Sequence, residues 1–357
     1  MVEVQGLRGG WPLLAASGAA AAIGMLSKET AALAGLYALC LELCLLRCQA
    51  RDQRDRRVLL AAHAALVMVV VLGMIYLCVK YANPEVYAIR WYDAGERVLA
   101  QFWALPLYLG QILLPTPDWM YFYYDDVVAS SSLFAPMSTF YGAMLLFALL
   151  VSAVWLRRRL PLYSLGIAWF FAAHLLTSSP INLELVFEHR NYFALLGIIL
   201  AAAALLCAFW RNMELRMLAL LAVVLTVGLG GLTVLRSATW GDGFLLATEF
   251  QQQNPDSERA SNDLAEVYML ISGMDPESPF YDLARREFLR GAALPYASPL
   301  PETGLLLMVA ASGRSSELAV WQSLLGGLKI QVQHEVMRIS PVPRPSLLPG
   351  FSSPVFY

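Results

Sequence analysis

Seven stretches of this chain are too apolar and too long to be left in water, and their number demands hydrocarbon as the solvent for most of the first 240 residues. They fall near Trp11 to Leu26, Thr30 to Leu46, Val58 to Val79, Phe140 to Leu156, Leu162 to Thr177, Phe193 to Trp210 and Met217 to Leu235. Inside a bilayer each segment must satisfy its own backbone polar groups, so these stretches read as helices and the chain as an all-α, polytopic membrane bundle. Composition agrees, with 58% hydrophobic and only 15% charged residues over 357 positions, outside the range of water-soluble domains. A net charge of -2, with basic residues in short clusters, excludes a nucleic-acid surface.

Gln101 to Leu114 is shorter, aromatic, interrupted by Pro106 and flanked by acids, so it is expected to be an interfacial or re-entrant helix. The first run, with Arg8 and its alanines, also has the composition of a signal peptide, but the second run follows too closely for that reading to lead. Arginine counts set the orientation. Arg47, Arg51, Arg54, Arg56 and Arg57 follow the second run, Arg157 to Arg159 the fourth, and Arg211 and Arg216 the sixth. Those loops are expected on the cytoplasmic side. Alternation then places the N-terminus inside, and Ser27-Lys28-Glu29, the loop from Lys80 to Thr139, the junction after the fifth run and the tail after Arg236 outside.

That junction reads Leu185-Val-Phe-Glu-His-Arg-Asn-Tyr192 and sets a carboxylate, an imidazole and a guanidinium side by side at a membrane boundary. Such a triplet is costly beside hydrocarbon unless its members pair or meet a charged ligand. A structural ion-pair knot is one reading. The other is a site that holds a phosphate-bearing lipid headgroup by Arg or Lys while a carboxylate takes a proton from an acceptor.

Gly24-Met-Leu-Ser-Lys-Glu29, Gly95-Glu-Arg-Val-Leu99, Tyr108-Leu-Gly-Gln-Ile-Leu-Leu-Pro-Thr-Pro117 with Asp125-Asp126, Phe187-Glu-His-Arg-Asn-Tyr192 and Arg236-Ser-Ala-Thr-Trp240 occur in this order from Gly24 to about Tyr268. Together they resemble the multi-span glycosyltransferases of the GT-C superfamily that carry tetratricopeptide repeats. The resemblance is nearest to the bacterial relatives of the transmembrane and tetratricopeptide-repeat protein O-mannosyltransferases. It implies transfer of a sugar from a polyprenyl-phosphate carrier to a protein or glycan acceptor on the extracytoplasmic side of a bacterial inner membrane. Such enzymes begin with further spans and carry their catalytic acid in the first outer loop, so this chain is expected to be an N-terminally shortened member; Asp125 and Asp126 match a later loop.

Within that framework Glu188 and His189 are the candidates for proton transfer, and Arg190 and Lys28 for binding the donor phosphate. A guanidinium offers a planar fork of donors that stays charged in a low dielectric. Lys28 could equally snorkel to the headgroups and pair with Glu29, and His189 could be a packed, hydrogen-bonded histidine. Glu29, Asp125, Asp126, Trp119 and Tyr124 are candidates for the sugar or acceptor, because a sugar ring needs an apolar face to stack on and acceptors for its hydroxyls. An aromatic belt at a membrane surface has the same composition. No metal site is expected. Asp125 and Asp126 could hold a divalent cation, yet adjacent carboxylates with no third ligand in register are weak evidence. Cys40, Cys44 and Cys48 lie along one helix face and do not converge on a point, which suits buried small hydrophobes.

The chain is thus expected to divide into a membrane domain over 1–240 with its outer loop over 80–139, an extracytoplasmic helical region over 241–335, and a flexible proline-rich end over 336–357. In the helical region Leu264, Ala265 and Tyr268, then Ala284 and Phe288, occupy the positions of the Leu, small residue, Tyr and Ala-x-x-x-Phe of a tetratricopeptide repeat, with Ser261 in place of the usual Trp. Thr303 to Ala311 and Ser316 to Leu328 could form a second pair. A repeat there would hold an acceptor polypeptide or a partner; a plain helical hairpin is the alternative. Two other functions compete with glycosyl transfer: a non-catalytic membrane anchor for a repeat scaffold, and a ligase or polymerase of the O-antigen type. The latter calls for an Arg-rich outer loop, whereas this one is acidic and aromatic.

Overall fold

A computed structural model describes residues 7–50, 52–88, 90–117, 120–210, 214–294 and 300–311. All regular structure among them is helical. Five segments are long and apolar enough to cross a membrane: Glu29–Leu46, Gln53–Tyr81, Met137–Leu156, Glu188–Phe209 and Arg216–Trp240.

The chain opens with α1 (Leu7–Ser27), followed by a 3-10 turn (Glu29–Leu33), α2 (Ala34–Leu41) and a π turn (Glu42–Leu46). The second apolar run is therefore three short helical pieces in sequence. Asp52 then caps α3 (Gln53–Tyr81) by accepting from Asp55 N at 2.7 Å. No residue of α3 is buried against protein, which suits a helix whose apolar surface faces lipid on most sides.

The segment expected to be an interfacial or re-entrant helix packs into the core of the bundle. It begins earlier, at α4 (Ala94–Leu113), where Asp93 and Glu96 form a reciprocal capping box. Its buried face carries Arg97, Ala100, Gln101, Ala104, Tyr108 and Gln111. Its polar residues repeat at helical spacing and turn inward. Around α4 stand α5 (Met137–Leu156), α6 (Pro161–His174) and α7 (Asn191–Phe209), and their apolar faces, with Tyr87, Tyr92 and Tyr124 from the connecting loop, make the main core. At 14 residues α6 is shorter than the expected fifth span.

Pro106 lies inside α4 and has no N–H to give the Phe102 carbonyl one turn earlier. That carbonyl is where α5 comes closest: a side chain at buried Gly142 would run into it and into the Pro106 ring. The same device brings α6 and α7 together, where Gly166 and Gly197 each face the other's backbone.

Beyond α7, α8 (Leu215–Trp240) is another helix with its membrane-length stretch unburied. The tail continues with α9 (Gly243–Gln253), α10 (Glu258–Ser272), α11 (Pro279–Ala292) and α12 (Leu300–Ala311). Asp242, Ser257 and Ser278 cap the first three, and Gly273 ends α10 in the left-handed region at φ 64°. Ala265, Tyr281, Ala284, Phe288, Leu305 and Met308 form a small core of their own. Of the residues placed at repeat positions, Leu264, Ala265, Ala284 and Phe288 are buried and Tyr268 is half-buried against the same core, so α10 and α11 form a helical hairpin with α12 laid against it. Ser316 to Leu328 and the proline-rich end lie outside the described residues.

Gly142→Val should destabilise the bundle by about 1–3 kcal/mol, the usual range for overpacking, and lower the thermal midpoint in detergent. Gly73→Ala, on α3 where an added Cβ meets nothing within 4 Å, should leave that midpoint unchanged or raise it.

Candidate functional site

The Glu-His-Arg junction sits on a loop that α4 holds in place. Arg97 is fully buried, and its guanidinium donates to the carbonyls of Thr177 at 2.7 Å, Leu183 at 3.0 Å and Ser179. Tyr92 adds a second donor to Leu183 O at 2.8 Å, and Gln101 Nε2 donates to Leu185 O at 3.3 Å. From the preceding segment Tyr87 donates to Pro180 O, and Arg90 Nε reaches Asn182 Oδ1 at 3.1 Å. Phe187 N closes the series by donating to Tyr108 Oη at 2.8 Å. An irregular loop packed against a membrane bundle needs such donors, because its carbonyls have no helix to bond within.

This clamping presents Glu188, His189 and Arg190 as a single 3-10 turn at the head of α7. Glu188 points toward the end of α8, where Arg236 Nη2 meets its Oε2 at 3.1 Å. Its Oε1 is buried without a hydrogen-bond partner among the described residues. Arg190 turns back on the loop and donates through Nη1 to the carbonyls of Glu184 at 2.8 Å and Leu185 at 3.3 Å. His189 is exposed and lies against Phe187, with ring centroids 4.4 Å apart. Lys28, exposed just ahead of the 3-10 turn that Glu29 begins, comes within electrostatic range of His189. Lys28 and Arg190 thus both bear electrostatically on His189. Glu29 is exposed beside Lys28.

The outer-loop candidates take a different course. Tyr124 is buried, and its hydroxyl accepts from Gln111 Nε2 at 2.6 Å, while Gln111 Oε1 accepts from Asn191 Nδ2 at 3.3 Å. Burial, then the nearby Glu188 charge, hold the Tyr124 phenol well above its ordinary range. With its ring packed into the core, Tyr124 offers no open face for stacking. Asp125 accepts from Ser257 Oγ at 2.6 Å and from Arg259 Nε at 2.9 Å and 3.1 Å, and Asp126 accepts from Asn254 Nδ2 at 2.8 Å. The two carboxylates therefore address separate partners on the tail instead of a shared cation. Among the described residues no three His, Cys, Asp or Glu side chains gather as a metal site. Trp119 lies outside the described residues.

Arg259 is the residue that sequence reasoning missed. Besides Asp125 it binds Glu184 Oε1 through Nη1 at 2.8 Å, and its guanidinium lies 4.6 Å from the centre of the Tyr123 ring. Burial works against its charge, but the bonds to Asp125 and Glu184 outweigh that and hold its pKa above the ordinary value. A lone arginine amid the acids of a tail gives no sequence signal of such a role. Arg236 and Arg97 stand within the runs quoted above, yet nothing local marked the first as the partner of Glu188 or the second as a loop anchor.

Comparison with protein-family models, with curated proteins and with solved structures finds no match. The fold and the site define a class by themselves: an all-helical chain with five helices long and apolar enough to cross a membrane, carrying at one end a cationic rim beside a buried, half-paired carboxylate.

Arg97→Ala would strand the carbonyls of Thr177 and Ser179 and leave that of Leu183 to Tyr92 alone. The expected loss is on the order of 3 kcal/mol or more, read as a lower thermal midpoint and as faster hydrogen exchange confined first to residues 177–190.

Proposed function

We propose that the chain is an integral membrane glycosyltransferase that takes a sugar from a polyprenyl-phosphate donor and delivers it to a protein or glycan acceptor. The observation that carries this reading is the clamped turn that sets Glu188, His189 and Arg190 side by side, with Lys28 within electrostatic range of His189. Two fixed cations and an imidazole offer charge-assisted hydrogen bonds to a phosphate at the boundary where a lipid-linked headgroup would lie. Arg190, half-buried, keeps its Nη1 on the loop carbonyls of Glu184 and Leu185 and also lies beside Tyr108. Glu188, with Oε2 held by Arg236 and Oε1 buried and unpartnered among the described residues, suits an incoming hydroxyl that must lose a proton. The proposed site faces the extracytoplasmic side of a bacterial inner membrane, with the N-terminus cytoplasmic. The helical tail, read as tetratricopeptide-like, stands over it and holds the acceptor or a partner.

A second reading, a membrane-anchored scaffold without catalysis, draws on a specific observation. Asp125 and Glu184 are both engaged by Arg259, so part of the acidic outer surface serves to attach the tail.

The purified chain is assayed for release of polyprenyl phosphate from polyprenyl-phosphate sugars. Arg190→Ala and Glu188→Gln should each lower the rate by about 100-fold or more, the range for losing a charge-stabilising or proton-transferring group. Turnover that neither substitution changes would overturn this turn as the catalytic site, and no turnover together with carrier binding indifferent to Arg190 would place the scaffold reading ahead.

A further inference from the structure

The tail is joined to the outer loop in two chemically different ways. Near the membrane α9 is anchored by aromatic packing: Phe122 stacks on Phe250 at 4.9 Å, and Trp240 closes on both rings at 5.6 Å and 6.0 Å. One helix further on the attachment is polar. Asn254 bonds Asp126 and the Tyr123 carbonyl, Ser257 bonds Asp125, Tyr123 donates to Asp263 at 2.7 Å, and Arg259 spans Asp125 and Glu184. The side chains of Arg259, Asp125 and Glu184 keep 32%, 24% and 28% of their exposure, so water and salt can reach them and the joint is open to competition.

Glu184 links this joint to the candidate phosphate site. Its carboxylate accepts from Arg259, while its backbone carbonyl accepts from Arg190 at 2.8 Å. The residue before it, Leu183, is fixed from the bundle side by Arg97 and Tyr92. The carbonyl that aims Arg190 thus hangs between a rigid anchor inside the bundle and a releasable one on the tail.

We propose that Arg259 is a positioning residue: it latches α10 onto the outer loop and, through Glu184, sets the backbone that orients Arg190 toward an anionic lipid headgroup. A partner that lifts α10 would then loosen the site without touching it, and a bound phosphate would favour the docked tail by the same factor. The inference rests on Arg190 as a phosphate ligand, the reading proposed above.

The test uses the full chain in phosphatidylcholine nanodiscs with farnesyl phosphate as probe and farnesol as its uncharged control. Arg190→Ala should abolish the difference between the two. Arg259→Ala should weaken farnesyl phosphate binding by about tenfold, leave farnesol unchanged, and speed hydrogen exchange across α10 (Glu258–Ser272). Glu184→Gln should weaken binding in the same direction, and the double substitution should be no worse than Arg259→Ala alone, because one linkage is being cut twice. If Arg259→Ala does not fold, Arg259→Lys keeps a cation while surrendering the two-pronged bond, and an intermediate loss of affinity is expected. Binding that depends on Arg190 but is indifferent to Arg259 and Glu184, or additive losses in the double variant, overturns the latch and leaves the phosphate site standing. Binding indifferent to Arg190 overturns both.

Discussion

Burying the Arg97 guanidinium against three backbone carbonyls is the constraint from which the organised end of this molecule follows. A charge inside a membrane bundle is expensive, and an irregular loop there is expensive for the complementary reason, since its carbonyls lack donors. Each cost is offset by the other. The result is a loop between α6 and α7 that is non-helical beside the bundle and still has these carbonyls bonded. Gln101, Tyr92 and Tyr108 continue the same exchange with Leu185, Leu183 and Phe187, so the turn carrying Glu188, His189 and Arg190 has a fixed floor.

On that floor the ionisable side chains are arranged by how much water they keep. Glu188 is drawn inward to Arg236, whereas Lys28 and His189 stay exposed. Half-exposed ion pairs such as Arg259 with Asp125 contribute little net stability compared with the apolar packing around them. Their effect is geometric: a guanidinium that grips two carboxylates fixes orientation more than it adds energy. An interior polar thread also runs from Asn191 through Gln111 to Tyr124, next to a fully buried His174 stacked on Tyr108 at 5.1 Å with neither ring nitrogen hydrogen-bonded among the described residues.

Much of this was legible in the sequence, for a physical reason. Long apolar runs admit few structures in lipid, so the helices over 53–81, 137–156 and 191–209 lie where hydropathy placed them. The Glu-His-Arg triplet drew attention because charge beside hydrocarbon always needs an explanation, and its structure supplies one in Arg236. What stayed hidden was pairing across distance. Arg259 and Asp125 are 134 positions apart, and no local pattern encodes that meeting. The inward face of α4 was not legible, because shortness, aromatics, Pro106 and flanking acids say nothing of which side Arg97, Gln101, Tyr108 and Gln111 turn to, and these share the buried face. The second apolar run gave no hint of its breaks, since α-, 3-10 and π turns differ too little in composition.

The helices also differ in length in a way that reflects what surrounds each of them. At about 1.5 Å per residue, the 14 residues of α6 span only about 21 Å, against a hydrocarbon core of about 30 Å. The 29 residues of α3 reach about 43 Å by the same rise. The two lengths answer to different surroundings. Nine of the 14 residues of α6 are buried against protein, so its neighbours and not lipid set its length. By contrast, α3 has no buried residue and begins with Gln53-Arg-Asp-Arg-Arg57, so its excess length is polar. Its apolar stretch from Val58 to Val79 rises about 33 Å, close to the hydrocarbon thickness.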